Sequence, residues 1–265
     1  MAGPDILLTN DDGIDATGLR VLADALSEIG SVTVVAPADD QSAVGRALSR
    51  SVSVDERDFG YAIEGTPADC VIAGLEALAP ETDLVVAGCN QGANLGAYNL
   101  GRSGTVSAAV EATFFDTPAI ALSLYIPVAG DTAYDDVNVE AAAYAEAVRS
   151  AAFLADHTID AGVFEQADYL NVNTPVPEQA SGEMHVTRPS HVHMMDAVRD
   201  GSHVELQEGI WELMASGDVP DDDGTDRRAV VDGHVSVSPL TAPHTTEHHE
   251  ALDGLAQTYP ETGDD

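Results

Sequence analysis

Residues 6–13, ILLTNDDG, indicate the fold class of this chain. Ile6–Thr9 is a short apolar run, and it ends in the turn-forming residues Asn10–Gly13, as a buried strand does at a polar turn. The next segment, Thr17–Ile29, has apolar residues at helical spacing, and Gly30 closes it. A buried strand that leads into a helix through an acidic turn is typical of a parallel sheet with crossover helices.

The same alternation continues through the first 180 residues. Near-continuous apolar strands separated by helices predict an α/β fold, in which a mainly parallel, Rossmann-like sheet forms a three-layer core. The expected strands are Val32–Ala36, Val52–Val54, Ala62–Ile63, Leu84–Ala87, Ala119–Leu122 and Tyr169–Val172, and the expected helices are Thr66–Leu78, Thr105–Phe115 and Val137–Leu154.

The C-terminal part has a different pattern. Glu183–Val204 alternates as in hairpins or a projecting arm, so residues 181–245 are predicted to form a hairpin or arm region. This region includes an acidic loop, Asp218–Asp226, and a returning strand, Ala229–Val237. A terminal helix at Glu247–Leu255 and a frayed tail belong to residues 246–265. The whole chain, 1–265, is thus expected to be a single domain with a core over 1–180.

Charge is the most unusual feature of the composition. The net charge is −36, and all ten basic residues are Arg. Such self-repulsion destabilises a compact chain, but at about 1 M salt the Debye length is only about 3 Å. We therefore expect a halophilic protein, without nucleic-acid polymers or anionic membranes as partners. No leader or membrane-spanning run is readable, which predicts a cytoplasmic location. Cys70 and Cys89 lack CxxC spacing and are expected to be buried thiols.

Two carboxylates, Asp11 and Asp12, follow the first strand directly. Side-by-side like charges are costly unless a cation or hydrogen bonds compensate them, and hard oxygen donors suit Mg²⁺, Mn²⁺ or Ca²⁺. An Asx-turn with a helix cap explains the same residues equally well. The pair by itself leaves both interpretations open.

A glycine-rich segment, Gly88–Thr105, is expected at the same edge of the sheet, as is the loop Ala38–Arg46. Asn90 and Asn94 offer a carbonyl to a metal or an amide to a phosphate. Ser103–Thr105 opens a helix, where free N–H groups favour an anion. Neither GxGxxG nor GxxxxGK[ST] is present, so those nucleotide-binding folds find no support.

Several motifs in order resemble the SurE family, the stationary-phase survival nucleotidases. They are ILLTNDDGIDATGLRVLADAL, VVAPADDQSAVGRALS, GTPADC, DLVVAGCNQGANLG with SGTVSAAVEA, LNVNTP, VTR and GTDRRAVVDGHVSVSPL. The resemblance covers most of the chain. It implies a metal-dependent phosphatase acting on nucleoside 5′-monophosphates, possible activity on 3′-nucleotides or short polyphosphate, and homodimers or homotetramers that exchange a C-terminal arm.

The resemblance also implies the site residues. One divalent metal per subunit, Mg²⁺ or Mn²⁺, would be bound by Asp11, Asp12, Ser42 and Asn90, and phosphate by Asn94, Ser103, Gly104 and Thr105. The chain departs from the family at Ala38–Gln41, where relatives often carry basic residues. Only Arg46 remains nearby as a cation for attracting substrate.

Asp11 and Asp12 are the candidate catalytic residues, with Asp12 slightly preferred for activating water. A covalent aspartyl-phosphate on Asp11 is the other route. A haloacid-dehalogenase-like phosphatase would need Asp-x-Asp and a downstream Lys, which are absent. The alternative outside the enzymes is a regulator that binds a metal or a nucleotide and has lost catalysis.

Two groups of histidines lie outside these motifs. His191 and His193 share a face of an expected strand, and His244, His248 and His249 are close in sequence near the terminal helix. Neither group completes a zinc-ligand set, so surface or interface histidines are favoured over a second metal site.

Overall fold

The computed structural model of the chain describes residues 3–128, 137, 139–242 and 250–258. The described strands are β1 (Asp5–Thr9), β2 (Ser31–Pro37), β3 (Val54–Arg57), β4 (Gly60–Ile63), β5 (Leu84–Gln91), β6 (Ala119–Tyr125), β7 (Tyr169–Pro175), β8 (Met184–Val186), β9 (Met195–Asp200), β10 (His203–Glu208) and β11 (Val235–Leu240). The helices are α1 (Thr17–Leu26), α2 (Pro67–Ala73), α3 (Ala97–Leu100), α4 (Gly104–Thr113), α5 (Ala145–His157), α6 (Ile210–Ser216), α7 (Asp226–Val231) and α8 (Glu250–Gln257).

Nine of these strands form one sheet in the order β3-β4-β2-β1-β5-β6-β7-β11-β8. The six strands from β4 to β7 in this order run parallel, whereas β3 and β11 pair antiparallel with their inner neighbours. The predicted α/β fold with a mainly parallel sheet is therefore confirmed.

The central strands of the sheet are covered on both faces, which explains why their sequences are largely apolar. In β1, Ile6 and Leu8 pack into the core that α1 and α5 cover, whereas Leu7 packs into the core on the opposite face. The second core includes side chains of α2 and α4, such as Val71 and Val106. Because successive strand side chains point to opposite faces, a strand buried on both sides reads as an unbroken apolar run.

Several predicted boundaries were wrong. The first short strand lies at Val54–Arg57 rather than Val52–Val54, and it is an exposed edge strand. The helix predicted from Val137 begins with a 3₁₀ turn at Ala141–Tyr144. The predicted strand Ala229–Val237 divides into the end of α7 and the start of β11, because Gly233 makes a turn with φ of +86° between them.

The predicted hairpin region, Glu183–Val204, divides into an edge strand of the main sheet and part of a separate ribbon. β8 pairs in parallel with β11 at the edge of the main sheet. β9 and β10 form a separate antiparallel ribbon, in which most side chains are exposed. Helix α6 follows this ribbon and was not predicted. The predicted tail and the histidines His244, His248 and His249 lie outside the described residues, as does the start of the predicted terminal helix.

Within the described residues, no helix is long and apolar enough to cross a bilayer.

Candidate metal and active site

The strand order reverses at β1, which lies between β2 and β5. Asp11 and Asp12 follow the carboxyl end of β1, and Asn90 lies near the carboxyl end of β5. Parallel sheets bind ligands outside the carboxyl ends of their strands at such a reversal, because the loops diverge there and leave a crevice.

Asp11 lies against the first turn of α4. Its carboxylate is 3% exposed, and the Thr105 hydroxyl donates a hydrogen bond of 2.5 Å to its Oδ1. Burial raises the pKa of Asp11, and the hydroxyl and backbone amide of Thr105 partly oppose that rise. A Cβ on Gly104 would lie 2.7 Å from Asp11 Oδ2, so the glycine allows the helix to approach this closely.

Asp12 shares this crevice with Asp11. The Gln91 backbone N–H donates a hydrogen bond of 2.9 Å to its Oδ2. Burial, followed by the charges of Asp11 and Asp40, raises the pKa of Asp12 to about 7. In the absence of a cation, these adjacent carboxylates therefore resist carrying two negative charges at neutral pH. A divalent cation would remove that penalty, so the pair fits one.

The loop after β2 is hydrogen-bonded to the Asp11 backbone. The Gln41 N–H donates to the Asp11 carbonyl at 2.7 Å, which holds the segment next to Ser42 against the Asp11 backbone. The Ser42 backbone N–H donates to Asp40 Oδ1 at 2.7 Å, and Ser42 is exposed. The negative charge that Asp40 adds beside Asp11 and Asp12 was not predicted from the sequence, although Asp39 and Asp40 stand in the motif VVAPADDQSAVGRALS.

Arg46, the cation expected near the site, is engaged elsewhere. Its Nε lies 3.4 Å from Glu111 Oε2, and its guanidinium carbon lies 4.6 Å from the centre of the Phe114 ring. Arg46 therefore contacts α4 and the residue that follows it.

Asn90 has its amide group fixed by a local hydrogen bond. Its Nδ2 donates to the Gly92 carbonyl at 2.6 Å, which leaves Oδ1 as the side-chain atom able to ligate a metal. With oxygens of Asp11, Asp12 and Ser42 it would give an all-oxygen donor set, which suits Mg²⁺ or Mn²⁺ better than a softer ion.

The residues predicted on the phosphate side lie in two places. Ser103, Gly104 and Thr105 begin α4 beside Asp11, and Ser103 Oγ accepts a hydrogen bond of 3.1 Å from the Val106 N–H. Since the Thr105 amide faces Asp11, the Gly104 N–H is the first-turn amide with no partner within the described ranges.

Asn94 lies deeper in the fold and is 8% exposed. Its Nδ2 donates to Ser123 Oγ at 2.8 Å, and its backbone N–H donates to Asn173 Oδ1 at 2.8 Å. The Asn171 amide donates to its carbonyl at 2.9 Å. These contacts fix the course of the glycine-rich loop over β6 and β7.

A second buried anchor of this loop was missed. Asp226 is fully buried and accepts hydrogen bonds from the backbone N–H groups of Gly96 at 2.7 Å and Ser190 at 2.9 Å. The buried Arg227 lies against Gly96, where an added Cβ would come within 2.2 Å of its Nη2. The sequence contains a signal for this anchor, since Arg227 and Arg228 are adjacent in a chain with only ten arginines.

The family model described as "Survival protein SurE" matches residues 6–196. A protein of Haloarcula marismortui, named 5′-nucleotidase SurE, is 66% identical over 99% of this chain and 98% of its own length. Its counterpart in Haloquadratum walsbyi is 64% identical over 96% of each chain. Both come from halophilic archaea, which agrees with the expectation drawn from the charge.

A solved structure has the same fold. The crystal structure of the SurE protein from Aquifex aeolicus superposes with a TM-score of 0.72 at 30% identity, covering 89% of this chain and 93% of that one. The site residues, the order of the motifs and these similarities lead to one conclusion: this chain belongs to the SurE family.

Proposed function

We propose that this chain is a divalent-metal-dependent phosphatase that hydrolyses nucleoside 5′-monophosphates to nucleoside and phosphate. The observation that carries the proposal is the adjacent pair of buried Asp11 and half-buried Asp12, whose pKa values are raised and whose neighbour is a helix N-terminus. The relatives named 5′-nucleotidase support the substrate class. 3′-Nucleotides and short polyphosphates are further candidate substrates.

The proposed ligands are Asp11, Asp12, Ser42 and Asn90, with one Mg²⁺ or Mn²⁺ per chain. The ion would polarise phosphoryl oxygens and make a water molecule more acidic. It would also supply positive charge that the nearby side chains lack, since Arg46 is paired with Glu111.

The chain's own groups have separate tasks in this proposal. Thr105 holds the Asp11 carboxylate in place, and Gln91 holds Asp12. Asp12 orients the attacking water and accepts its proton. The Gly104 N–H, at the positive end of α4, stabilises charge on a phosphoryl oxygen. Ser103 and Asn94 support this phosphate side by capping the helix and fixing the loop.

The proposed route is direct attack by water rather than an aspartyl-phosphate on Asp11. Thr105 donates its hydroxyl to Asp11, and that bond favours a fixed carboxylate over a nucleophile that must turn toward phosphorus. Acid quenching of a reaction with ³²P-labelled AMP distinguishes the two. Label retained on the protein would contradict direct attack.

The decisive experiment is phosphate release from a panel of nucleotides at multimolar KCl, with and without Mg²⁺ or Mn²⁺. Asp11→Asn and Asp12→Asn should lose metal-dependent activity while keeping their circular dichroism spectrum. Asp15→Asn is the matched control, since Asp15 is exposed and pairs with Arg20 at 2.6 Å. Activity retained in both site variants would overturn the proposal, as would a lack of phosphate release under every condition.

The proposal extends to a homodimer or homotetramer in a salt-rich cytoplasm. The β9–β10 ribbon supports assembly, because Val198, Val204 and Leu206 are exposed on it, Leu206 by 70%. The acidic composition without Lys supports the location. Light scattering at high salt should give two or four chains for the wild type, and fewer for Val204→Asp with Leu206→Asp.

A further inference from the structure

A cluster of metal-binding side chains lies at the outer edge of the sheet, where β8 pairs with β11. It consists of Glu183, His185 and His234, whose ligand atoms all lie within 4.8 Å of one another. β8 is five strands from β1 in the sheet, a separation of about 24 Å at about 4.8 Å per strand. The cluster is therefore separate from the Asp11–Asp12 crevice.

The backbone on both sides of this cluster is fixed. The Val235 N–H donates to the Glu183 carbonyl at 2.9 Å, and the Ser181 N–H donates to the Gly233 carbonyl at 2.7 Å. Ser236 is paired with His185 in the parallel register. These bonds hold His185 within β8, and Glu183 and His234 directly before β8 and β11, so little order has to be gained when an ion binds.

The distances suit a small tetrahedral ion. Glu183 Oε2 lies 3.4 Å from His185 Nε2 and 3.9 Å from His234 Nδ1. Ligand atoms around tetrahedral Zn²⁺, at bond lengths of about 2.1 Å, are about 3.4 Å apart. The two imidazoles are stacked with centroids 4.0 Å apart, and a tilt of each ring would direct its nitrogen at a shared ion. The His185 side chain is 46% exposed, which leaves room for that tilt.

The donor chemistry differs from that of the Asp11–Asp12 crevice. Two imidazole nitrogens and one carboxylate favour Zn²⁺, Co²⁺ or Ni²⁺ over Mg²⁺. A set of three protein ligands leaves a fourth position for water. Ser181 Oγ lies 2.7 Å from His234 Nδ1 and holds that imidazole in the metal-free protein; the hydroxyl would leave this nitrogen when it binds an ion.

We propose that Glu183, His185 and His234 form a second metal site, for an ion of the Zn²⁺ class, that fastens the edge strand β8 to β11. The site is independent of the proposed phosphatase reaction. Coordination bonds act over about 2 Å, so they persist in multimolar salt that screens longer-range attraction.

The test uses the full chain in high salt, stripped with a chelator and reloaded with Zn²⁺ or Co²⁺. Wild-type protein should bind Zn²⁺ in the presence of excess Mg²⁺, and its Co²⁺ form should show the intense visible absorption of a tetrahedral site. His234→Ala and Glu183→Gln should each lose one equivalent of Zn²⁺ and that absorption. His203→Ala is the matched control, since His203 is an exposed histidine on the ribbon, and it should bind as the wild type does.

Melting temperatures with and without Zn²⁺ distinguish loss of the metal site from a folding defect. Zn²⁺ should raise the melting temperature of wild type and of Asp11→Asn, but that of His234→Ala much less. Without metal, His234→Ala should melt as the wild type does, which excludes a folding defect. Equal Zn²⁺ stoichiometry in wild type, His234→Ala and His203→Ala would overturn the proposal, as would displacement of the Zn²⁺ by Mg²⁺.

Discussion

The contact between Gly104 and Asp11 shows how closely the site depends on a single missing side chain. Helix α4 begins where it does because Ser103 caps it, and its first residue then lies directly on the Asp11 carboxylate. A larger residue would have to displace either the helix or the acid. The helix start and the acid therefore have to be considered together.

Gly104→Ala should weaken metal binding by about 10- to 100-fold, the range expected when a residue that orients a metal ligand is changed. The added Cβ would lie 2.7 Å from Asp11 Oδ2, so the carboxylate must move. Mn²⁺ titration and phosphate release measure the loss. Gly101→Ala, three residues earlier and with nothing within 4 Å of its Cβ, is the control that should stay close to wild type.

The raised pKa of Asp12 predicts two opposite pH dependences. Metal competes with the proton, so metal affinity should rise with pH through about 7. The folded, metal-free protein binds this proton more tightly than the unfolded chain does, so stability should fall as pH rises from about 4 through about 7. Melting temperatures of metal-free wild type and Asp12→Asn at both ends of that window test this. An equal slope in both proteins would contradict the assignment.

Sequence alone could place Asp11, Asp12 and Asn90 at one edge, because strand ends in a parallel sheet converge there. It could not find Asp40 as a third charge beside the pair. That contribution depends on how the loop after β2 folds back, which is set by the hydrogen bond from Gln41 to the Asp11 carbonyl.

At the scale of elements, helix α7 anchors the glycine-rich loop from behind. Asp226, its first residue, accepts the Gly96 N–H, and Arg227 fills the space beside that glycine. A C-terminal helix thus determines the shape of a loop that lies 130 residues earlier in the chain. The periodic pattern of Ala229–Val237 predicted a strand there, because a helix of only six residues is too short to show its own periodicity.

Asp226→Asn should lower the free energy of unfolding by about 2 kcal/mol, since a buried carboxylate with several N–H donors becomes an amide with one acceptor. Loss of loop order should also weaken metal binding at Asn90. The control is Asp232→Asn: Asp232 is exposed at the opposite end of the same helix, and its substitution should change stability by less than about 0.5 kcal/mol. Urea unfolding of both variants measures the two free energies. Similar values would show that Asp226 does not anchor the loop.

At the scale of the whole molecule, the net negative charge is the property that most affects stability. The net charge of −36 is spread over a fold whose core is an ordinary α/β sheet. Composition alone predicts that stability depends on salt, because the net charge can be counted from the sequence without a structure. Composition says nothing about which carboxylates are buried, and Asp11 and Asp226 are exceptions to a mostly solvated set.

Stability should therefore depend strongly on salt. Thermal unfolding followed by circular dichroism should give a melting temperature that rises steadily from about 0.1 M to about 3 M KCl, as the Debye length falls from about 10 Å to less than 3 Å. Sucrose at matched osmolality is the control, since it does not screen charge. A melting temperature independent of KCl would refute the interpretation of the composition.

The hydrogen bonds from Gln41 to Asp11 and from Gln91 to Asp12 join three chain segments that are far apart in sequence. In an unfolded chain those segments are separate, and no proposed ligand group is assembled. Metal affinity is therefore a reporter of folding: whatever loosens the sheet, including dilution of salt, reduces the apparent affinity by the fraction of molecules in which the segments have parted. Activity measured at a metal concentration below the dissociation constant would then report the folded fraction, and it would recover when salt is restored.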